Sequence, residues 1–219
     1  MRLLIVNPNT TASMTASIGE AARLAASPGT EVTALNPTSG PPAIQGPEDG
    51  EAALPGLFDL IDSEFAKPDA YHAVIIACFD DTGLAELKTR SPVPVIGIGE
   101  AGFHMAMLVG HRFSVVTTLS VSVPVIEENI RAYGFGARCA SVRASEIPVL
   151  DLEKDPEAAM AKIGLEIDQA IGTDGCDAIV LGCAGMADMA KTLGRRHGKP
   201  VIDGVASATV LAEAAAKAA

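Results

Sequence analysis

The sequence has no tryptophan, and aromatic residues make up 4% of its 219 positions. Its interior must be built from Ala, Val, Ile and Gly, which suits helices packed closely on a buried sheet. It also lacks long apolar runs. Nothing approaches the roughly 18 consecutive apolar residues of a membrane span. The N-terminal "MRLLIVNPNT" carries four apolar residues after Arg2, too few for a signal-peptide core. A cytoplasmic protein is expected. Positive charge is scarce: 16 Lys and Arg stand against 27 Asp and Glu, for a formal net charge of −11, with no basic stretch. That balance excludes the electrostatic footprint of a nucleic-acid binder or of a protein held on an anionic membrane. The four cysteines (Cys78, Cys139, Cys176, Cys183) show no C-x-x-C spacing, and the four histidines (His72, His104, His111, His197) are scattered. No metal site and no dithiol redox pair is suggested, and thiols are expected rather than disulfides.

What is present is a repeated gesture. "AVIIACFDD" (73–81) and "AIVLGCAGM" (178–186) are each an apolar, β-branched run that meets a cysteine and then breaks into small or polar residues. The two lie half a chain apart. Around them, strand-like and helix-like segments alternate throughout. Strands are expected at 3–6, 31–36, 72–78 and 93–99, and again at 113–118, 138–142, 177–183 and 199–203. Helices are expected between them, among others over 51–65 and 156–171. A Pro/Gly-rich loop, "PTSGPPAIQGPEDG" (37–50), has the composition of a cover over a site. Apolar strands alternating with helices predict parallel sheets covered on both faces.

The two halves run through the same events. Leu3–Val6 corresponds to Phe113–Thr117, the cysteine strand follows about 70 residues later in each, and a "PV-I" strand follows each cysteine. This pattern predicts an α/β protein of two pseudo-symmetric, doubly wound parallel-sheet domains. The first is expected over 1–98 and the second over 99–203, with the last helix, 204–219, packing back on the first. Ligands of such sheets bind beyond the carboxyl ends of the strands. If the halves face each other, Cys78 and Cys183 meet across one cleft.

Buried cysteines usually act as small hydrophobes, and that role is expected for Cys139 and Cys176. Packing does not require a cysteine at the same strand end twice, so Cys78 and Cys183 are the catalytic candidates. Each is expected near a helix N-terminus, where partial positive charge can bring a thiol's pKa towards neutral. Two such groups on opposite sides of a carbon suit racemisation: one thiolate removes a proton next to a carbonyl, and the other thiol returns one to the opposite face. Asp80 and Asp81 would oppose thiol activation as carboxylates. Asp81 is expected to cap the helix "TGLAELKTR", and Asp80 is kept among the cleft residues. "GIGEAG" (97–102) matches a dinucleotide fingerprint formally but lies late in its half and lacks the acidic partner; close packing at a helix start is expected instead. Glu127 and Glu128 have the pattern of a solvated helix face.

"VNPNTT", "GPPAIQG", "ACFDDTGL", "VVTTLSVSVP" and "LGCAGM" together resemble the hydantoin racemase branch of the aspartate/glutamate racemase superfamily, over essentially the whole chain. The resemblance implies paired α/β domains, racemisation without a cofactor or metal, and two catalytic cysteines, carried over to Cys78 and Cys183. Departures from the amino-acid racemases are informative. Their A-C-N-T-A and G-C-T-H runs appear here as "ACFDD" and "GCAGM", so Ala184 and Gly185 follow the second cysteine where a histidine would stand. Their acidic residue after the first strand is Asn7. The resembled family's "GP-SIE" loop appears as "GPPAIQ" (40–45), with Gln45 where Glu is common, which leaves the role of Gln45 open.

These differences favour a neutral imide ring. Asn7, Asn9, Thr117 and Thr118 offer polar contacts, although Asn7 and Asn9 also suit turn chemistry. Pro42, Ile44 and Phe79 offer an apolar wall, although loop packing would explain them equally. Racemisation of a 5-monosubstituted hydantoin is the expected activity, with allantoin or an aspartate/glutamate-type amino acid as alternative substrates. A two-domain binding protein without chemistry is the non-enzymatic alternative, disfavoured by two placed thiols. Expected partners are a small-molecule substrate and further copies of the chain.

Overall fold

A computed structural model describes residues 1–68 and 71–219. Eight strands alternate with eight α-helices among the described residues: β1 (Arg2–Val6), α1 (Ala12–Ala25), β2 (Glu31–Leu35), α2 (Pro47–Phe65), β3 (Ala73–Ile76), α3 (Leu84–Arg90), β4 (Val95–Gly97), α4 (Ile98–Val109), β5 (Phe113–Thr117), α5 (Val123–Ala132), β6 (Cys139–Ala144), α6 (Pro156–Gln169), β7 (Ala178–Gly182), α7 (Ala190–His197), β8 (Val201–Asp203) and α8 (Gly204–Ala218). They form two four-stranded sheets, ordered β2-β1-β3-β4 and β6-β5-β7-β8, and every pairing is parallel. The identical order is the duplication seen in the sequence. Helix α2 starts at Pro47 and not near Glu51, because proline is pre-organised for a first turn and Glu48 and Asp49 favour the helix N-terminus. That shortens the covering loop. No helix is long and apolar enough to cross a membrane among the described residues.

Strand residues alternate between an inner and an outer core. Leu4, Val6, Val74 and Ile76 pack outward against α2 and α3 through Leu57, Ile61, Leu84 and Leu87. Val116, Ile179 and Leu181 pack outward against α6 and α7 through Ile163, Ile167 and Leu193. Leu3, Ile5 and Ile75 of one sheet and Phe113, Val115 and Val180 of the other share a single central core with Phe103, Val205, Ala208 and Ala212. Burial on both faces is why the strands are continuously apolar.

The central core is built by two helices that cross. Helix α4 follows the first sheet but packs against β7 of the second, whereas α8 follows the second sheet and packs against β3 and α1 of the first. They approach so closely at their N-termini that a Cβ on Gly204 would lie 2.6 Å from the Ile98 carbonyl oxygen. Glu213 fastens α8 to the turn after α1, accepting hydrogen bonds from the Ser27 amide (2.9 Å), the Ser27 hydroxyl (2.6 Å) and the Thr30 hydroxyl (2.5 Å).

The "GIGEAG" glycines are packing positions. A Cβ on Gly97 would collide with the Asp81 carboxylate, one on Gly99 with the Phe79 carbonyl oxygen, and one on Gly102 would lie 2.8 Å from Val180 Cγ1. Asp81 cannot retreat, because it accepts hydrogen bonds from the Gly99 and Glu100 amides (3.0 and 2.8 Å) and the Tyr133 hydroxyl (3.0 Å). Gly97→Ala is therefore expected to cost about 1–3 kcal/mol, lowering Tm by roughly 2–4 °C per kcal/mol. Gly172→Ala, where an added Cβ meets nothing within 4 Å, should stay within about 1 kcal/mol. Thermal unfolding followed by circular dichroism compares them, and equal melting temperatures would refute the packing role of Gly97.

Candidate active site

The carboxyl ends of the four central strands converge. Beyond β1 stand Asn7 and Asn9, beyond β3 Cys78, Phe79 and Asp80, at and beyond the end of β5 Thr117, Thr118 and Ser122, and beyond β7 Cys183 and Ala184. With Met14, Ile44, Ala77, Val149 and Gly182 they line one cavity of about 30 Å³. Both candidate thiols are therefore in one place, each half-buried just past its strand. Cys176 is buried in the outer core of the second sheet, and Cys139 lies on β6 away from this cavity.

Two expected cleft residues are not in this lining. Pro42 is exposed, and its carbonyl accepts the Thr11 hydroxyl at 2.6 Å. Gly185 lines a neighbouring cavity of about 180 Å³, together with Ser17, Leu152, Glu153 and Met160, and the two cavities share Ala184. Met14, Ala77, Ser122, Val149 and Gly182 were not singled out from the sequence. Ala77 and Gly182 precede the cysteines and could have been found from the strand ends. Val149 comes from a distant loop and carries no sequence signal.

The asparagines serve mainly to shape the turn after β1. The Asn7 side-chain amide donates to Asn9 Oδ1 (2.9 Å) and Thr15 Oγ1 (3.0 Å), and Asn9 Oδ1 also accepts the Thr11 amide (2.9 Å). The Asn9 amide group has only a weak partner, Met14 Sδ at 3.4 Å. Thr117 is spent on the Gly182 carbonyl (2.9 Å), which ties β5 to the approach to Cys183. The buried Thr118 hydroxyl makes no hydrogen bond with a described residue and is free to donate into the cavity.

The cover is made by both halves. Gln45 Oε1 accepts the Val149 amide (2.9 Å), and the Ser13 hydroxyl donates to Glu153 (3.1 Å). Gln45 thus bridges the 37–46 loop to the segment around 149–153. On the far side the Asn129 side chain donates to the Asp80 carbonyl (2.9 Å). The space inside accommodates about two waters as it stands, and these contacts tie its lining to both halves.

The electrostatics differ from the expectation of thiols activated by helix ends. Helix α3 starts only at Leu84, after a turn through Asp81 (φ 51°) and Gly83 (φ 73°). Cys183 caps only a short 3-10 turn, Ala184–Met189. Desolvation prevails instead. Burial pushes the Cys78 thiol well above its ordinary value, and the Asp80 carboxylate pushes it further, against hydrogen bonds from the Thr82 hydroxyl and the Asp80 amide. Burial raises Cys183 to about 11, opposed by the Gly185 amide and reinforced by Asp80. Asp80 itself is raised to about 6 by burial. Asp81 does not cap α3 with its side chain: its carboxylate closes the N-terminus of α4. Glu127 and Glu128 face solvent and pair with Arg131.

At neutral pH both thiols carry their protons and Asp80 is ionised. In a Cys139→Ala/Cys176→Ala background, thiolate ultraviolet absorbance should show a first step near pH 11 that Cys183→Ala removes, and a step below pH 8 would overturn these assignments. Hydrogen exchange at the Val149 amide should slow at saturating substrate. Unchanged exchange would deny this segment a part in closure.

Comparisons with known proteins identify the family and the fold. The family described as Asp/Glu/Hydantoin racemase matches residues 3–212. A hydantoin racemase of Rhizobium meliloti is 45% identical over 215 residues, covering 98% of this chain and 88% of that protein. The solved allantoin racemase of Klebsiella pneumoniae superposes with a TM-score of 0.93 at 41% identity, over 98% of this chain and 86% of the other. That of Pseudomonas fluorescens superposes with a TM-score of 0.95 at 43% identity, over 100% and 92%.

Proposed function

The chain belongs to the Asp/Glu/hydantoin racemase family and is a racemase of the hydantoin/allantoin kind, and from that premise we propose that it racemises 5-monosubstituted hydantoins with two thiols and no cofactor. The observation that carries this reading is that Cys78 and Cys183, at equivalent strand ends of the two sheets, line one cavity. One sulfur, as thiolate, takes the proton from C5. The resulting carbanion is planar, its charge delocalised onto the neighbouring carbonyl oxygen. The opposite thiol then delivers its proton to the other face. The Thr118 hydroxyl and the weakly held Asn9 amide are donors available to the developing oxyanion.

The ring preference rests on charge. Among the described residues, Asp80 is the only ionisable group besides the thiols in the lining, and no cation lines it. A free amino acid would bring its carboxylate beside Asp80 without a counter-charge, which is costly in a desolvated space. A hydantoin enters neutral. Met14, Ile44, Phe79 and Val149 supply apolar walls for an alkyl or aryl substituent. Allantoin is the second reading, favoured by the two allantoin racemases of nearly identical fold.

Polarimetry on 5-methyl, 5-isobutyl and 5-benzyl hydantoin, allantoin, aspartate and glutamate tests the substrate class. Racemisation of at least one hydantoin and none of the free amino acids is expected, and turnover of amino acids alone would sink the assignment. Cys78→Ala and Cys183→Ala should each lose racemisation by roughly 10³-fold or more. Each should still exchange the C5 hydrogen with deuterium for one enantiomer, and the two should prefer opposite enantiomers. Cys139→Ala and Cys176→Ala should racemise almost normally. Proton NMR in D₂O on each pure enantiomer reads this out, and the same preference in both mutants would favour a single base.

A further inference from the structure

The thiols that line the cavity both hold their protons at rest, so something must take one away before carbon can be deprotonated. A two-base racemase has a second need. Each turnover ends with the thiolate on the opposite sulfur, and another turnover in the same direction requires that the charge return. Both needs point to one residue.

We propose that Asp80 is the proton store of the site, taking the proton of whichever thiol is to act as base and returning one to the opposite sulfur after the turnover. This rests on the two-thiol reading above. In the first step the S–H bond breaks, an O–H bond forms on Asp80, and sulfur keeps the electron pair. That thiolate takes the C5 proton and becomes a thiol. The opposite thiol gives its proton to carbon and becomes a thiolate. The Asp80 carboxyl then gives it a proton and is a carboxylate again. Protons and charge balance, and the site carries one negative charge throughout. The resting state has two thiols and one carboxylate, so it serves either enantiomer.

The placement of Asp80 suits this role. It lines the same small cavity as both sulfurs, and its backbone is fixed by Asn129 on its carbonyl (2.9 Å). Its carboxylate is left nearly free: Oδ2 accepts only the Ser122 hydroxyl, at a long 3.4 Å, and Oδ1 makes no hydrogen bond with a described residue. No ion pair involves it among the described residues. From the first half it is faced by Asn7, Asn9 and Met14, and from the second by Thr117, Thr118, Ser122 and Val149, none of them titratable. Neighbouring Asp81 turns its carboxylate to α4. The titratable partners left to Asp80 are the two thiols, both of which its charge raises, while its own value stays near 6, far below theirs. The equivalent position after Cys183 is Gly185, where a Cβ would lie 3.1 Å from Leu152 Cδ1. The cavity therefore has one store for two sulfurs.

The test compares the wild type with Asp80→Asn and Asp80→Glu, using a 5-substituted hydantoin in both directions. Wild-type kcat/KM should rise through about pH 6 and then stay level to mildly alkaline pH. Asp80→Asn should fall by roughly 10²-fold at neutral pH and then climb about tenfold per pH unit, because hydroxide must now make the thiolate. Asp80→Glu should restore the level profile. A uniform loss with an unchanged pH profile, or no loss in Asp80→Asn, would overturn the proposal. Failure of the wild type to racemise any hydantoin would instead refute the function proposed above.

Discussion

The whole arrangement depends on the central core that the two sheets share. Helices α1 and α5 cover only part of the inner faces, and the helix that follows each sheet packs across onto the other. Phe103 on α4 sits in that core, stacked on Phe113 at 5.6 Å and meeting Phe79 edge-on at 5.5 Å. Phe79 is the residue after Cys78. The aromatic contact therefore connects the packing of the second sheet directly to the strand end that carries a thiol of the first. With the inner faces locked together, the carboxyl ends of both sheets open onto the same space, and a cleft between them follows from packing alone.

The duplication is close in backbone and unequal in side chains. Each sulfur is approached by the amide two residues on, from Asp80 in one half and Gly185 in the other. The helix that follows each half's last strand is capped differently. Asp203 caps α8 from its own N-cap position, donated to by the Val205 and Ala206 amides at 2.8 and 3.1 Å. The matching position before α4 is Gly97, and the cap arrives from Asp81. The glycine is required because the carboxylate occupies the space its side chain would fill. Charge has thus collected on the Cys78 side, and the two thiols experience it unequally.

Much of this was legible in the sequence. Continuous apolar strands, the order of events in each half and the repeated cysteine gave the paired parallel sheets, the strand ends and both thiols. The glycines of "GIGEAG" read as packing positions in the sequence, and close contacts around them in the structure agree. What was not legible came from contacts across large separations. Asp81 looked like the cap of the helix beside it, because nothing local shows that Gly97 leaves room for its carboxylate at α4. Gln45 meets the Val149 amide from more than 100 positions away. The thiols were expected to be activated by nearby helix ends. The structure interposes a turn after Cys78 and gives Cys183 only a short 3-10 turn, so desolvation prevails, and the extent of burial cannot be seen in a linear pattern.

The small, narrow cavity has a consequence for the lifetime of its thiols. Peroxide and disulfide partners attack thiolates, and they attack those they can reach. Here the two sulfurs are short of both qualities: desolvation and a neighbouring carboxylate keep them protonated, and the Gln45 and Ser13 contacts close the way in. The environment that makes them weak bases at rest also makes them poor targets for oxidation. An enzyme working by the proposed two-thiol chemistry can thereby persist in ordinary surroundings, exposing a reactive sulfur only for as long as the cleft is open.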